Sequence, residues 1–434
     1  MNSGTTLIRG GWVIPMTDRV IYDQGSVWVK DGAIGGVFQK GETLPEAETV
    51  VDATGCVVMP GLVNTHCHSP MSLFRGLADD MPLASWLNDH IFPAEAAHIN
   101  PETVRAGALL SCVEMLLSGT TTVCDGYFYE GAVAEAVREV GMRGVLAHGV
   151  IDFPAPGVPD PAENVARAIE FVEAWKDRWS LITPSIFCHT PYTCSEETLT
   201  KAKEACRRLG VLFQIHIAET EDEVLRLKEE RGISPYQLLD DLHVLDEATL
   251  LVHNVWMNHD DMALIAKRGA TASHNPGSNT KLASGLCPAA ALMEKGIHVG
   301  LGTDGAASNN RLDLFGEMQL TAKIHKAYSL DPVAMDAWTV LEMATLLGAK
   351  AIGSGRYIGS LLPGKRADII LVDMNKPHLT PVHNPVSHLV YAATGSDVRD
   401  VFVEGRQVVK DRQLLTVDVQ AVMNEVHRIA KAIK

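Results

Sequence analysis

His66 and His68, separated by one residue, His216 with Glu219 three positions on, His253 and Asp304 are residues whose types and spacing suit chemistry. On a β-strand, residues two apart point the same way, so the first two imidazoles can face one point. Imidazole nitrogens and a carboxylate oxygen suit Zn2+ or Fe2+. A further carboxylate beside such a cation is placed for general acid–base work. Taken singly, each has a plainer reading. A histidine at a strand end can be a satisfied core residue, Glu219 a solvated acid at a helix start, and Asp304, in Gly302-Thr303-Asp304-Gly305, the closing residue of a turn. The whole set is hard to explain by packing, because buried ionisable groups are costly unless paired or metal-bound.

Such convergence needs a scaffold that brings distant strand ends together. Short apolar runs at 61–65, 121–124, 144–147, 182–186, 212–215, 250–252, 269–273 and 299–302 alternate with longer helical stretches. That alternation favours parallel strands with crossover helices. Eight such units predict an α/β fold, a (β/α)8 TIM barrel, assigned to residues 59–363. His66 and His68 follow the first strand, His216 the fifth, His253 the sixth and Asp304 the eighth, and in this barrel all strand ends open onto one face. The two chain ends have another texture. Short β-runs punctuated by glycines include a hairpin signal at Asp31-Gly32 and strands at 367–372 and 401–409, followed by a closing helix near 417–433. Residues 153–161, rich in Pro and Gly, read as a surface loop.

Composition narrows the partners. The chain has 434 residues, 46% of them hydrophobic, and a formal net charge of −16. Disorder is excluded, and so is nucleic acid as the main partner, since phosphate binding needs surplus Lys and Arg. A small nucleoside, which carries no phosphate, is not excluded. The eight cysteines include no C-x-x-C pair, which predicts a reduced, cytoplasmic protein without a disulfide framework. Met1-Asn2-Ser3-Gly4-Thr5-Thr6 has no basic leader, and apolar runs are short, so neither a signal peptide nor membrane association is expected.

Pro60-Gly61-Leu62-Val63-Asn64-Thr65-His66-Cys67-His68, His216-Ile217-Ala218-Glu219, Ser273-His274-Asn275-Pro276 and Gly302-Thr303-Asp304-Gly305 resemble the amidohydrolase superfamily, in its branch of mononuclear-metal aminohydrolases and chlorohydrolases. Residues 64–76, with Trp86-Leu87 and Pro93-Ala94-Glu95, are similar to 5-methylthioadenosine/S-adenosylhomocysteine deaminases. The resemblance spans nearly the whole chain. It implies a small β-sandwich built from both chain ends, residues 1–58 and 364–434, beside the barrel. It also implies one divalent metal, Zn2+ first with Fe2+ or Mn2+ as options, held by His66, His68, His216 and Asp304. Binuclear members carry a bridging lysine after the fourth strand, where this chain reads Ile186-Phe187-Cys188-His189-Thr190-Pro191. The other zinc-deaminase pattern, H-x-E with P-C-x-x-C, is absent.

The same resemblance assigns roles. Glu219 is the acid–base residue, Asp304 shares the proton of the attacking water, and His253 orients without ligating. Glu95 would accept both ribose hydroxyls, and His189, Trp86 and His148 would face substrate with Glu219 and Asp304. Ser278, Asn279 and Lys281, in the loop after the seventh strand, would shape the pocket or only hold the loop. Many members meet the carboxylate of S-adenosylhomocysteine with arginines near the third strand. Here that strand ends Leu146-Ala147-His148-Gly149, residues 153–161 contain no arginine, and Arg143 precedes the strand. Methylthioadenosine or adenosine is therefore favoured. The alternatives are a hydrolase of the same architecture acting on a triazine, guanine, a pterin or a cyclic amide, and a binding protein with a closed structural metal site. A homo-oligomer is expected on family grounds.

Overall fold

In the computed structural model, which describes residues 4–433, the middle of the chain forms a barrel. The first three residues of the leader reading lie outside the described residues. The barrel strands are β1 (Leu62–Cys67), β2 (Thr120–Tyr127), β3 (Arg143–Val150), β4 (Ile182–Cys188), β5 (Phe213–Ile217), β6 (Thr249–His253), β7 (Thr271–His274) and β8 (Val299–Leu301). They are parallel and neighbour one another in chain order. Every residue of β2 and β3 is buried, as expected of parallel strands covered on both faces. The helices between them carry local start and stop signals. Helix Pro101–Leu117 begins at Asn100, whose side chain accepts the N–H groups of Glu102 and Thr103 while the Thr103 hydroxyl accepts the N–H of Asn100. Helix Glu130–Val140 ends at Gly141, in the left-handed conformation.

The barrel's last and first strands meet without a regular ladder among the described residues. Asp304 N–H donates to His66 O at 3.0 Å, and Val63 N–H to Ala344 O at 2.9 Å. The approach is close enough to require glycine. A Cβ at Gly300 would stand 2.3 Å from the Thr65 methyl, and one at Gly302 would stand 2.9 Å from His66 Cβ. Asp304 is therefore carried to its place by the seam itself.

Both chain ends build a second, nine-stranded mixed sheet. Strand Cys56–Pro60 unites them, pairing in parallel with Thr5–Val13 and antiparallel with Ile369–Asp373. The hairpin at Asp31-Gly32 joins Tyr22–Lys30 to Ala33–Phe38. Instead of two separate sheets, one continuous sheet folds back so that Ala33 bridges Arg366, enclosing Ile8, Val29, Ile34, Val58, Leu371 and Phe402. The closing helix Val419–Ala430 leaves this sheet. Its apolar residues Val422, Val426 and Ile429 belong to the barrel's core, and it packs on helix Pro101–Leu117. All eight cysteines are free and buried. Among the described residues, no helix is long and apolar enough to cross a membrane.

Arg143 does not turn toward the barrel mouth. It lies at the start of β3 and grips Asp368 through Nε (2.8 Å) and Nη2 (3.1 Å), and Asp368 also accepts the Glu404 N–H at 2.8 Å. The two side chains are only 10% and 2% exposed. Removing one partner strands the other charge in the interior. Arg143→Met is expected to cost about 3–5 kcal/mol of stability, read as a lowered denaturation midpoint. A midpoint equal to wild type would contradict this.

Candidate active site

The strand ends gather the histidines. The ring centroids of His66 lie 4.6 Å from those of His68 and 4.9 Å from those of His216. His66 Nε2 is 3.1 Å from His216 Nε2, and Asp304 Oδ1 is 3.4 Å from Nε2 of both His66 and His68. His68 Nδ1–H donates to the Gly126 carbonyl at 2.6 Å, which leaves its Nε2 lone pair free to face the group. Burial holds the His66 ring at about 4, against the pull of Asp304, and pushes His216 well below the ordinary imidazole value. Burial opposes the charge on Asp304, but its bond to His66 and the rings around it hold the carboxyl well below the usual range. Neutral ring nitrogens 3.1 Å apart beside a carboxylate form a set of electron pairs short of a positive centre. His66, His68 and His216 form one group that could hold a metal ion, and His66, His253 and Asp304 another. The three imidazoles and the carboxylate fit a divalent cation.

Supports behind this group come from the next two loops. Ser278 and Ser308 hydroxyls donate to Asp304 Oδ2 at 2.6 and 3.0 Å, and Gly305 N–H donates to Oδ1 at 2.7 Å. Glu317 joins the same loops by accepting Gly277 N–H and the Asn309 amide, each at 2.8 Å. His253 Nδ1 meets Asn279 Oδ1 at 2.9 Å and the Asn275 amide nitrogen at 3.3 Å, and its Nε2 lies 3.6 Å from Glu219 Oε2. Glu219 keeps 14% of its side chain exposed. Burial raises its carboxyl above the ordinary value, with His253 opposing and Asp304 reinforcing. Its backbone is set by Glu223, which accepts N–H from Ala218 and Glu219 at 2.9 and 3.0 Å from within helix Glu221–Arg231. Ala218, His253 and Asp304 hold φ of 49°, 76° and 61°. Left-handed backbone at non-glycine strand ends is costly and clusters at functional sites.

Above the strand ends lies a cleft that opens to solvent. His68, His216, Glu219, His253 and Asp304 line it, as do Trp86, Glu95 and His189. One wall comes from a single segment. Leu83, Leu87, Ile91 and Glu95 recur every fourth residue, and the segment includes a wider, π-type turn over Trp86–Ile91. An ordinary α-helix would rotate such a series away from the cleft; the wider turn keeps it aligned. Trp86 is tied by its indole N–H to Ala78 O at 3.2 Å. His189 Nδ1 meets Thr193 Oγ1 at 2.8 Å, and burial holds its ring at about 3. Glu95 accepts the Tyr127 hydroxyl at 2.5 Å. Burial pushes the Glu95 carboxyl up to about 7, with that hydrogen bond opposing.

One sequence expectation needs correction. His148 does not line the cleft. It lies within β3, where alternation turns it away from the face that Gly149 offers, and its charged neighbours are Arg167 and Glu170. Lys281 pairs with Asp79 and Asn310, as a residue that only holds the loop would. Tyr127 and Ser308, unflagged by the sequence reading, do line the cleft. Tyr127 had one available signal, its position at the end of strand two; Ser308 lies in helix Ala306–Asn309, beyond the end of strand eight.

Comparison with known proteins agrees along the full chain. A model of the amidohydrolase family matches residues 57–408. The 5-methylthioadenosine/S-adenosylhomocysteine deaminase of Syntrophobacter fumaroxidans is 48% identical over 432 residues, covering 99% of this chain and 98% of that protein. The 5'-deoxyadenosine deaminase of Methanosarcina mazei is 44% identical over 428 residues, covering 98% and 97%. Among solved structures, an adenosine deaminase from Xanthomonas campestris with bound zinc superposes with a TM-score of 0.95 at 37% identity, covering 99% of this chain and 98% of that one.

Proposed function

The chain belongs to the amidohydrolase family, and from that membership and the cleft just described we propose that it is a metal-dependent hydrolytic deaminase of adenosine-type nucleosides. It replaces the purine amino group with oxygen from water, releasing ammonia and the inosine analogue. The observation that carries this reading is a cleft lined by the carboxylate of Glu219 beside histidines and an aspartate that could hold a metal ion, with a second carboxylate, Glu95, on its wall.

His66, His68, His216 and Asp304 would hold the cation, and the imidazole-rich set favours zinc, which the Xanthomonas neighbour binds. A cation there supplies Lewis acidity that makes a water molecule acidic near neutral pH. Glu219 takes the proton of the attacking water on its carboxylate and passes it to the purine ring nitrogen beside the amino-bearing carbon. The hydroxyl now on the amino-bearing carbon gives up its remaining proton, which Asp304 and Glu219 deliver to the amino group; the C–N bond breaks, the C=O forms and ammonia leaves. His253, held at Nδ1 between the Asn279 and Asn275 side chains, directs Nε2 toward Glu219 and orients the attacking water. Asp304 shares the water proton. Glu95 accepts the ribose hydroxyls, while Trp86 and His189 flank the base and sugar.

No arginine or lysine lines the cleft among the described residues. A free α-carboxylate on the 5' substituent would lose water there without gaining a partner. We therefore infer a preference for methylthioadenosine, 5'-deoxyadenosine or adenosine over S-adenosylhomocysteine. An ammonia-release screen on zinc-loaded protein tests both statements, with guanine and a triazine included. The expected result is turnover of the adenosines, with kcat/KM for methylthioadenosine at least about tenfold above that for S-adenosylhomocysteine. Preference for the homocysteine adduct would overturn the 5' inference, and turnover of the triazine or guanine alone would overturn the nucleoside reading.

A further inference from the structure

We propose that Tyr127 is a positioning residue for nucleoside recognition, its hydroxyl holding Glu95 as the acceptor for a vicinal diol. The inference rests on the nucleoside-deaminase reading and extends it to a residue outside the metal group. Tyr127 is the last residue of β2, and Glu95 comes from helix Phe92–His98 of the opposite wall. Both line the cleft, and each is 5% exposed. The Tyr127 hydroxyl donates to Glu95 Oε1 at 2.5 Å and is the sole hydrogen-bond partner of the Glu95 side chain among the described residues.

That arrangement is unusual for a buried acid. Most buried polar groups are paired to capacity, yet Glu95 uses one acceptor position of about four. One oxygen is wholly free and the other half free. Two adjacent hydroxyls present two donors at a spacing a carboxylate can span with both oxygens. For this the acid must be ionised, because a protonated carboxyl offers a donor where an acceptor is needed. A phenol donating to one oxygen favours the ionised form and fixes the plane of the carboxylate. Tyr127 also ties the wall segment, which carries Glu95, to β2 of the barrel. The diol acceptor is thereby indexed to the strand ends that carry the reacting groups.

The test compares adenosine with 2',3'-dideoxyadenosine on zinc-loaded wild type, Tyr127→Phe and Glu95→Gln, following ammonia release. Wild type is expected to favour adenosine by about 10- to 100-fold in kcat/KM, the range for hydrogen bonds to a charged group. Tyr127→Phe should lose most of that preference through a KM for adenosine raised about tenfold, with kcat changed less. Glu95→Gln keeps a carbonyl for Tyr127 but presents a donor to the sugar. It should lose the preference too, and it keeps the test decisive if the tyrosine variant does not fold. Equal losses on both substrates in Tyr127→Phe would indicate a merely structural hydroxyl and overturn the assignment. So would full preference retained in either variant. A folded, zinc-loaded wild type that deaminates neither substrate would overturn the deaminase reading itself, and this assignment with it.

Discussion

Glu219→Gln is expected to lower kcat by about 10³- to 10⁴-fold while leaving KM within about threefold of wild type. The amide matches the carboxylate in size and can still accept from Ser284, which lies 3.5 Å from Oε1. It cannot take a proton from water. The proposed reaction moves protons from water to a ring nitrogen and to the leaving amine, and Glu219 is the cleft carboxylate facing both the metal-ligating group and His253. Asp304 shares the water proton but cannot carry it to the ring nitrogen in place of Glu219, because the Ser278 and Ser308 hydroxyls, the Gly305 N–H and the histidine rings hold its carboxylate in place. The loss should therefore fall on kcat and not on binding. Elemental analysis of the variant should give wild-type metal content. A variant retaining more than about a tenth of wild-type kcat would remove Glu219 from the proton path.

Stripping the cation should be at least as severe. Dialysis against a chelator is expected to bring deamination to background, a loss of more than about 10⁴-fold, because water with a pKa near 16 is a poor nucleophile at neutral pH. Zinc should restore it. His216→Ala should lower bound metal below one per chain and should not be rescued by the same zinc concentration. The physical reason is the crowding of Nε2 atoms at 3.1 Å. Neutral nitrogens at that spacing repel unless a proton or a cation lies between them, and burial disfavours the proton on His66 and His216. Full activity in protein shown by elemental analysis to be metal-free would end the metal-dependent reading.

Much of the fold and the ligand group was legible because strand ends carry short, recognisable signals. His66-Cys67-His68, His216 with Glu219, His253 and Asp304 each follow an apolar run, and the barrel rule brings such ends together. The errors arose where a strand continued through residues that look like its end. Strand two was read as stopping at Cys124, before Asp125-Gly126, yet β2 runs to Tyr127. Strand three was read as stopping at Ala147, before His148-Gly149, yet β3 runs to Val150. Each misreading had one consequence. Tyr127 was overlooked as a strand-end residue, and His148 was treated as facing the cleft when it is an in-strand residue pointing to the helix layer. Polar residues and glycine read as turns in isolation; inside a parallel barrel, neighbouring ladders carry the strand through them. The supports of Asp304 were partly foreseen, since Ser278 was flagged, but the Ser308 hydroxyl depends on how two loops meet, which spacing along one chain does not reveal.

The single-segment wall carries a consequence for how such enzymes diversify. The groups proposed to break the bond stand on the strand ends, whereas Leu83, Trp86, Leu87, Ile91 and Phe92, a continuous apolar wall facing the ligand, hang from one stretch of chain after β1. Reaction and selectivity are thus inherited on separable parts. Exchanging that stretch for one of different length or lining would offer a new clientele to an untouched reaction centre. A library randomised only between Leu83 and Ile91 should therefore yield altered appetites far more often than dead proteins.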